Sequence, residues 1–83
     1  MNDVYLLLDG EDIIGSVALK GNEIDDLIVD KRFQGQGYGK KILIWAIHHI
    51  GTEQIELHVA EWNQRAVNLY KKMGFEITEI IVI

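Results

Sequence analysis

The 83-residue sequence contains no cysteine. A disulfide staple, a thiolate metal site and a cysteine nucleophile are therefore excluded. No apolar run approaches the ~20 residues that a bilayer crossing needs, and Met1-Asn2-Asp3 is not the basic start of a secretory signal. The expectation is a cytoplasmic protein with no membrane partner. Basic clusters are also missing: none is longer than pairs such as Lys40-Lys41 and Lys71-Lys72, and the net charge is −5. Nucleic acid is not an expected partner, because phosphate neutralisation needs a basic surface. An acidic balance suits a cationic small molecule instead.

What is present is ordinary for a globular domain. Hydrophobic residues are 48% and charged residues 25% of the chain, which argues against disorder. The length is that of one domain, residues 1–83. Such a chain buries only about 60–65% of its unfolded surface, so its core is thin. There is no internal repeat, low-complexity stretch or linker.

The first third reads as strands. Val4–Leu8 ends in the turn signal Asp9-Gly10, Ile13–Lys20 ends at Gly21-Asn22, and Glu23–Val29 follows. Regular alternation in the third segment would place Ile24, Asp26 and Ile28 on one face and Glu23, Asp25, Leu27 and Val29 on the other. Short connections make these strands an antiparallel meander. A helical pattern follows, with Ile42, Leu43, Ala46, Ile47 and Ile50 at three- and four-residue spacing and Gly51 as its stop. Gln54–Val59 is the next strand, parallel to Glu23–Val29 through a right-handed crossover. Asn63 caps a second helix to about Met73, with Ala66, Val67, Leu69 and Tyr70 inward, and Phe75–Ile83 closes the chain as a strand. The fold class is α/β in the sense of an α+β mixed sheet, in the order β-β-β-α-β-α-β.

Chemistry concentrates between the third strand and the first helix, in Gln34-Gly35-Gln36-Gly37-Tyr38-Gly39-Lys40-Lys41. Glycines let the backbone turn tightly and approach a ligand, which leaves the N–H groups of the helix start aimed outwards. With the helix dipole and the nearby lysines they make an anion site suited to phosphate or pyrophosphate. The same glycines also fit a plain tight turn. The spacing matches neither a Walker loop nor Gly-x-Gly-x-x-Gly.

The loop resembles the pyrophosphate loop of the GCN5-related N-acetyltransferases (GNATs), Gln/Arg-x-x-Gly-x-Gly/Ala, here Gln34, Gly37 and Gly39. The strand before it, Leu27-Ile28-Val29 with Asp30-Lys31-Arg32-Phe33, is similar to the family's Leu-x-Val-x-x-x-x. A second signature, Asn-x-x-Ala-x-x-Leu-Tyr-x-x-x-Gly-Phe, is resembled by Asn63 to Phe75.

That resemblance implies a GNAT-like acyl-CoA N-acyltransferase fold with acetyl-CoA as co-substrate and an amine as acceptor. It implies that backbone groups of Leu27, Ile28 and Val29 pair with the pantetheine arm. Amides from Gln34, Gly35, Gln36, Gly37, Tyr38, Gly39 and Lys40 would hold the pyrophosphate. Asn63 would contact the cofactor arm besides capping its helix. Tyr70 would stand near the sulfur and protonate the thiolate; its alternative is a core aromatic. Glu23 sits where histone-type members place their base, and Asp25 would share its face; the alternative is a solvated strand end. His48, His49 and His58 read as packed or surface histidines. No pair among these residues has metal-ligand spacing with a third candidate, so no metal is expected.

On that resemblance, the chain is expected to start at what corresponds to the second strand, without the family's usual N-terminal strand and two helices. Three readings follow: an N-acetyltransferase acting by direct attack in a ternary complex, a non-catalytic acetyl-CoA-binding or sensing module, or a fold-only interaction domain. The apolar Ile80-Ile81-Val82-Ile83, with no Lys or Pro to blunt an edge, points to a homodimer through the C-terminal strand.

Overall fold

The computed structural model describes residues 3–51, 54–59 and 62–75. Strand β1 (Asp3–Asp9), β2 (Asp12–Lys20) and β3 (Glu23–Val29) form the expected meander. A short 3-10 turn (Lys31–Phe33) leads into helix α1 (Tyr38–Ile50), then strand β4 (Glu56–His58) and helix α2 (Gln64–Lys72). The sheet order is β1-β2-β3-β4. The first two pairings are antiparallel and β3–β4 is parallel, as a helical crossover requires.

The core lies on one face of this mixed sheet. Val17 and Leu19 of β2, Ile24 and Leu27 of β3, Ile42, Leu43 and Ala46 of α1, and Ala66 and Tyr70 of α2 form one buried cluster. Both helices therefore pack through the apolar stripes that their spacing predicts. Burying a side chain such as Leu43 or Ile24 contributes about 1.5–3 kcal/mol.

The expected alternation of β3 is not what the structure shows. Ser16 pairs with Ile28 and Ala18 with Asp25, so Asp26 and Leu27 stand opposite the single residue Val17. This is a β-bulge. Asp26 absorbs it with a positive φ of 47°, a conformation that aspartate tolerates better than most side chains. The bulge turns Leu27 inward beside Ile24, so Leu27 does not share a face with Glu23 and Asp25.

The helix ends differ from each other. Helix α1 begins at Tyr38, so Tyr38 and Gly39 belong to it and not to the loop. Its N-cap is Gly37, left-handed at φ 85°, with no side-chain cap. Helix α2 is capped conventionally, Asn63 Oδ1 accepting from the Ala66 amide at 3.3 Å. Phe75 is not in a strand, although its amide bonds to the Tyr70 carbonyl at 3.0 Å. The rest of the expected C-terminal strand, and the dimer contact placed on it, lie outside the described residues. Among the described residues no helix is long and apolar enough to cross a membrane.

Candidate active site

Strands β3 and β4 pair over three positions only, Glu23↔Glu56, Ile24↔Leu57 and Asp25↔His58. Strand β3 then continues through its bulge to Val29 while β4 stops at His58. The sheet thus forks directly after Asp25 and His58. An open groove of about 620 Å³ begins beside Leu27, two residues past the last β3–β4 pair, and runs to the loop before α1. Leu27, Ile28 and Val29 form one wall, and Asn63, Ala66 and Leu69 of the α2 segment form the other. Gln34, Gly35, Gly37, Tyr38, Gly39 and Lys40 close its far end.

Local bonds explain why the loop holds this shape. The Asp30 carboxylate accepts from the Arg32 amide at 2.9 Å and from Arg32 Nε at 3.2 Å. That amide bond, and then the guanidinium, hold the Asp30 carboxyl below the usual carboxylate range. Gln34 Nε2 donates to the Val29 carbonyl at 3.0 Å, fastening the loop to the strand it leaves. Gln36 Nε2 reaches the Arg32 carbonyl at 3.4 Å, and Gln36 is not part of the groove lining. At Gly37 a side chain would meet open space, so its positive φ, not crowding, is what calls for glycine. Gly39 is a packing position, where an added Cβ would touch Leu69 at 3.4 Å. The uncapped start of α1 leaves its first N–H groups without intrahelical partners at the groove's end.

Asn63 does two jobs. Besides capping α2, its Nδ2 donates to the Leu27 carbonyl at 3.5 Å, tying the helix to the wall strand across the fork. The carbonyls of Leu27 and Val29 are thus held by Asn63 and Gln34, so only part of that wall's backbone bonding capacity remains for a ligand.

Tyr70 is 4% exposed and does not line the groove. Its ring meets Phe75 edge to face at 6.4 Å. Its hydroxyl is buried with no hydrogen-bond partner among the described residues. Burial first, then the carboxylates of Asp26 and Asp25, push the phenol up to about 12. The ring is thus a core aromatic, and its hydroxyl is a buried phenol outside the groove lining.

The opposite face of the sheet carries a second cluster. One ligating atom each from Glu23, Asp25 and His58 lies within 4.8 Å of the others. This overturns the premise that no third metal-type ligand accompanies any pair, because the parallel β3–β4 register supplies His58 from a remote segment. His58 Nδ1 is 3.6 Å from Asp25 Oδ1, and Nε2 is 3.5 Å from Glu56 Oε2. His48 and His49 stand elsewhere, exposed at the end of α1, with His49 stacked on Trp45 at 4.8 Å and 3.3 Å from the Tyr5 hydroxyl.

Some groove residues escaped the sequence reading. Trp62, 80% exposed, stands at the lip. Arg65 and Lys72 add cations to the α2 wall; being seven apart on one helix, they share a face, a signal that spacing alone could have given.

Comparison with known proteins identifies the family. The profile of the acetyltransferase (GNAT) family matches residues 2–75. The chain is 36% identical over 70 residues to a peptidyl-lysine N-acetyltransferase of Salmonella typhimurium, covering 84% of this chain and 47% of that protein. It is 31% identical over 90 residues to the mycothiol acetyltransferase of Corynebacterium glutamicum, covering 99% of this chain and 31% of the relative. Among solved structures, a GNAT family acetyltransferase from Streptococcus pneumoniae superposes with a TM-score of 0.72 at 33% identity, covering 96% of this chain and 69% of the other. The chain spans about a third to a half of the length of these two curated relatives.

Proposed function

Because the chain belongs to the acetyltransferase (GNAT) family, we propose that it transfers an acetyl group from acetyl-CoA to a primary amine. The observation that carries this reading is one groove that runs from the uncapped start of α1 along Leu27 to Val29 of β3, a stretch that β4 does not pair and that begins two residues past the last β3–β4 pair. The residues present fit the donor. The N–H groups at the start of α1, with Lys40, Arg65 and Lys72, would hold phosphates. Leu27, Ile28 and Leu69 offer apolar walls to the pantetheine arm. The buried Tyr70 hydroxyl, without a hydrogen-bond partner among the described residues, would supply the proton.

The chemistry follows from these groups. With no cysteine in the chain, the amine attacks the thioester carbonyl directly within a ternary complex. A C–N bond forms and the C–S bond breaks. Tyr70 gives its proton to the departing sulfur and recovers one from the newly bonded nitrogen. One further proton, from the acceptor ammonium, leaves to solvent through a base on the open face, where Glu23 is the carboxylate that the family resemblance points to.

The test is amine-dependent release of free thiol from acetyl-CoA by the purified chain, with a pooled panel of primary amines. Release that depends on both substrates is expected. The absence of Tyr70 from the groove lining favours one rival reading, acetyl-CoA binding without transfer. Binding with no thiol release from any amine would establish that rival.

A further inference from the structure

The last pairing before the sheet forks sets a carboxylate beside an imidazole. Ile24 faces the core, so its neighbours Glu23 and Asp25 stand on the opposite, open face, with their register partners Glu56 and His58 beside them. Beyond Asp25 the groove begins, its β3 wall starting at Leu27. The Asp25–His58 pair is thus the last before the strands part, two residues short of Leu27, and on the acetyl-transfer reading the thioester would reach this end of the groove.

The pair has a defined direction. Asp25 Oδ1 is buried and has no hydrogen-bond partner among the described residues, which is costly for a carboxylate oxygen. The nearest polar hydrogen that the cluster can offer is on His58 Nδ1, 3.6 Å away. Contacts of this kind are often long in unliganded enzymes and tighten in the complex. The ring has two tautomers: Nε2 carries the proton when it donates to Glu56 Oε2 at 3.5 Å, and moving that proton to Nδ1, toward Asp25, leaves Nε2 as the basic nitrogen. Glu56 Oε2, 3.5 Å from Nε2, stands ready to stabilise the ring once Nε2 is protonated. The His58 side chain is 53% exposed, so an accepted proton can pass to water.

From this geometry we infer that His58, oriented by Asp25 across the β3–β4 seam, is the base that frees the acceptor amine for attack. The inference rests on the acetyl-transfer reading and replaces Glu23 as the proton acceptor. His58 Nε2 takes one proton from the ammonium nitrogen. The N–H electron pair stays on nitrogen and becomes the nucleophilic lone pair, and the proton leaves through the exposed ring. Asp25 is a positioning residue, since it acts through His58. The groups facing the ring are Asp25 and Glu23 from β3 and Glu56 from its own strand, and Tyr70 of α2 is coupled to Asp25 from the core side.

Steady-state kinetics at saturating acetyl-CoA, from about pH 5 to pH 8 where histidine changes charge, test the inference on the whole chain. For the unsubstituted chain, kcat/KM for the amine should fall on the acid side. His58→Gln should lower it about 10²-fold and abolish that acid limb, with acetyl-CoA affinity unchanged. Asp25→Asn should lower kcat/KM for the amine about tenfold with acetyl-CoA affinity unchanged, and Asp25→Glu should restore part of the loss, as expected of a residue that orients the ring. Glu23→Gln should keep the limb. A His58→Gln variant that retains turnover and the acid limb would overturn the inference while leaving acetyl transfer intact. No thiol release from the unsubstituted chain would overturn the acetyl-transfer reading and this base with it.

Discussion

The two sides of the β3–β4 fork are built from different materials. The groove side is shaped by backbone: a left-handed Gly37, an uncapped helix start, and strand carbonyls fastened by the amides of Gln34 and Asn63. The open face is made of side chains, Glu23, Asp25, Glu56 and His58, drawn together by strand register. A backbone site of this kind suits a ligand whose phosphates and amides are always the same. A side-chain site can change its preference by substitution without disturbing the fold. On the proposed reading, the donor would be held by elements the fold depends on and the acceptor handled by replaceable groups.

Tyr70 belongs to neither side, being buried in the core, yet on the proposed reading its substitution should have the largest effect. Tyr70→Phe should reduce kcat about 10²-fold while leaving acetyl-CoA affinity in place. Its thermal stability should be equal or higher, because a buried hydroxyl with no partner among the described residues is removed. A pH titration of stability adds a second check. Since burial raises the folded phenol from 10.0 to about 12, the folded state holds this proton more tightly than the unfolded chain. Stability should fall as pH rises from about 10 to about 12, by about 2–3 kcal/mol at 1.36 kcal/mol per pKa unit. The fall should be smaller by that amount in Tyr70→Phe. Equal turnover in the two proteins would make Tyr70 a core residue only.

The next effect belongs to the groove. Valine at position 37 must either adopt φ near 85°, storing about 1–3 kcal/mol of strain, or displace the loop. Gly37→Val should weaken acetyl-CoA about tenfold to hundredfold, read by calorimetric titration. Unchanged affinity would mean that the groove does not depend on its backbone. The smallest effect is at the fork's tie. Asn63→Ala loses the α2 cap and the bond to Leu27, and should cost about 1 kcal/mol in thermal unfolding. A loss confined to stability would leave Asn63 a structural residue with no part in binding.

What the sequence made legible was mostly local. The glycine spacing from Gly35 to Gly39 and the run from Asn63 to Phe75 concern neighbouring residues, so a loop, a cap and a helix could be read from them directly. The bulge could not, because Glu23 to Val29 fits regular alternation equally well. Only the pairing with β2, two residues against Val17, reveals it. The adjacent pair Asp25-Asp26, poor strand formers in mid-strand, was the available hint. His58 was missed as a partner of Asp25 for the same reason, since a parallel register across a helical crossover joins residues 33 apart. Tyr70 was placed on the inward side of its helix correctly, but its hydroxyl's isolation depends on three elements packing together.

Titration of the whole chain with acetyl-CoA by calorimetry is the most direct test of the central claim, that the groove is a donor site whose shape comes from backbone. Saturable one-to-one binding is expected, with a matching rise in melting temperature because the ligand binds only the folded state, and with both effects weakened in Gly37→Val. No heat of binding and no thermal shift from a folded, unsubstituted chain would contradict it.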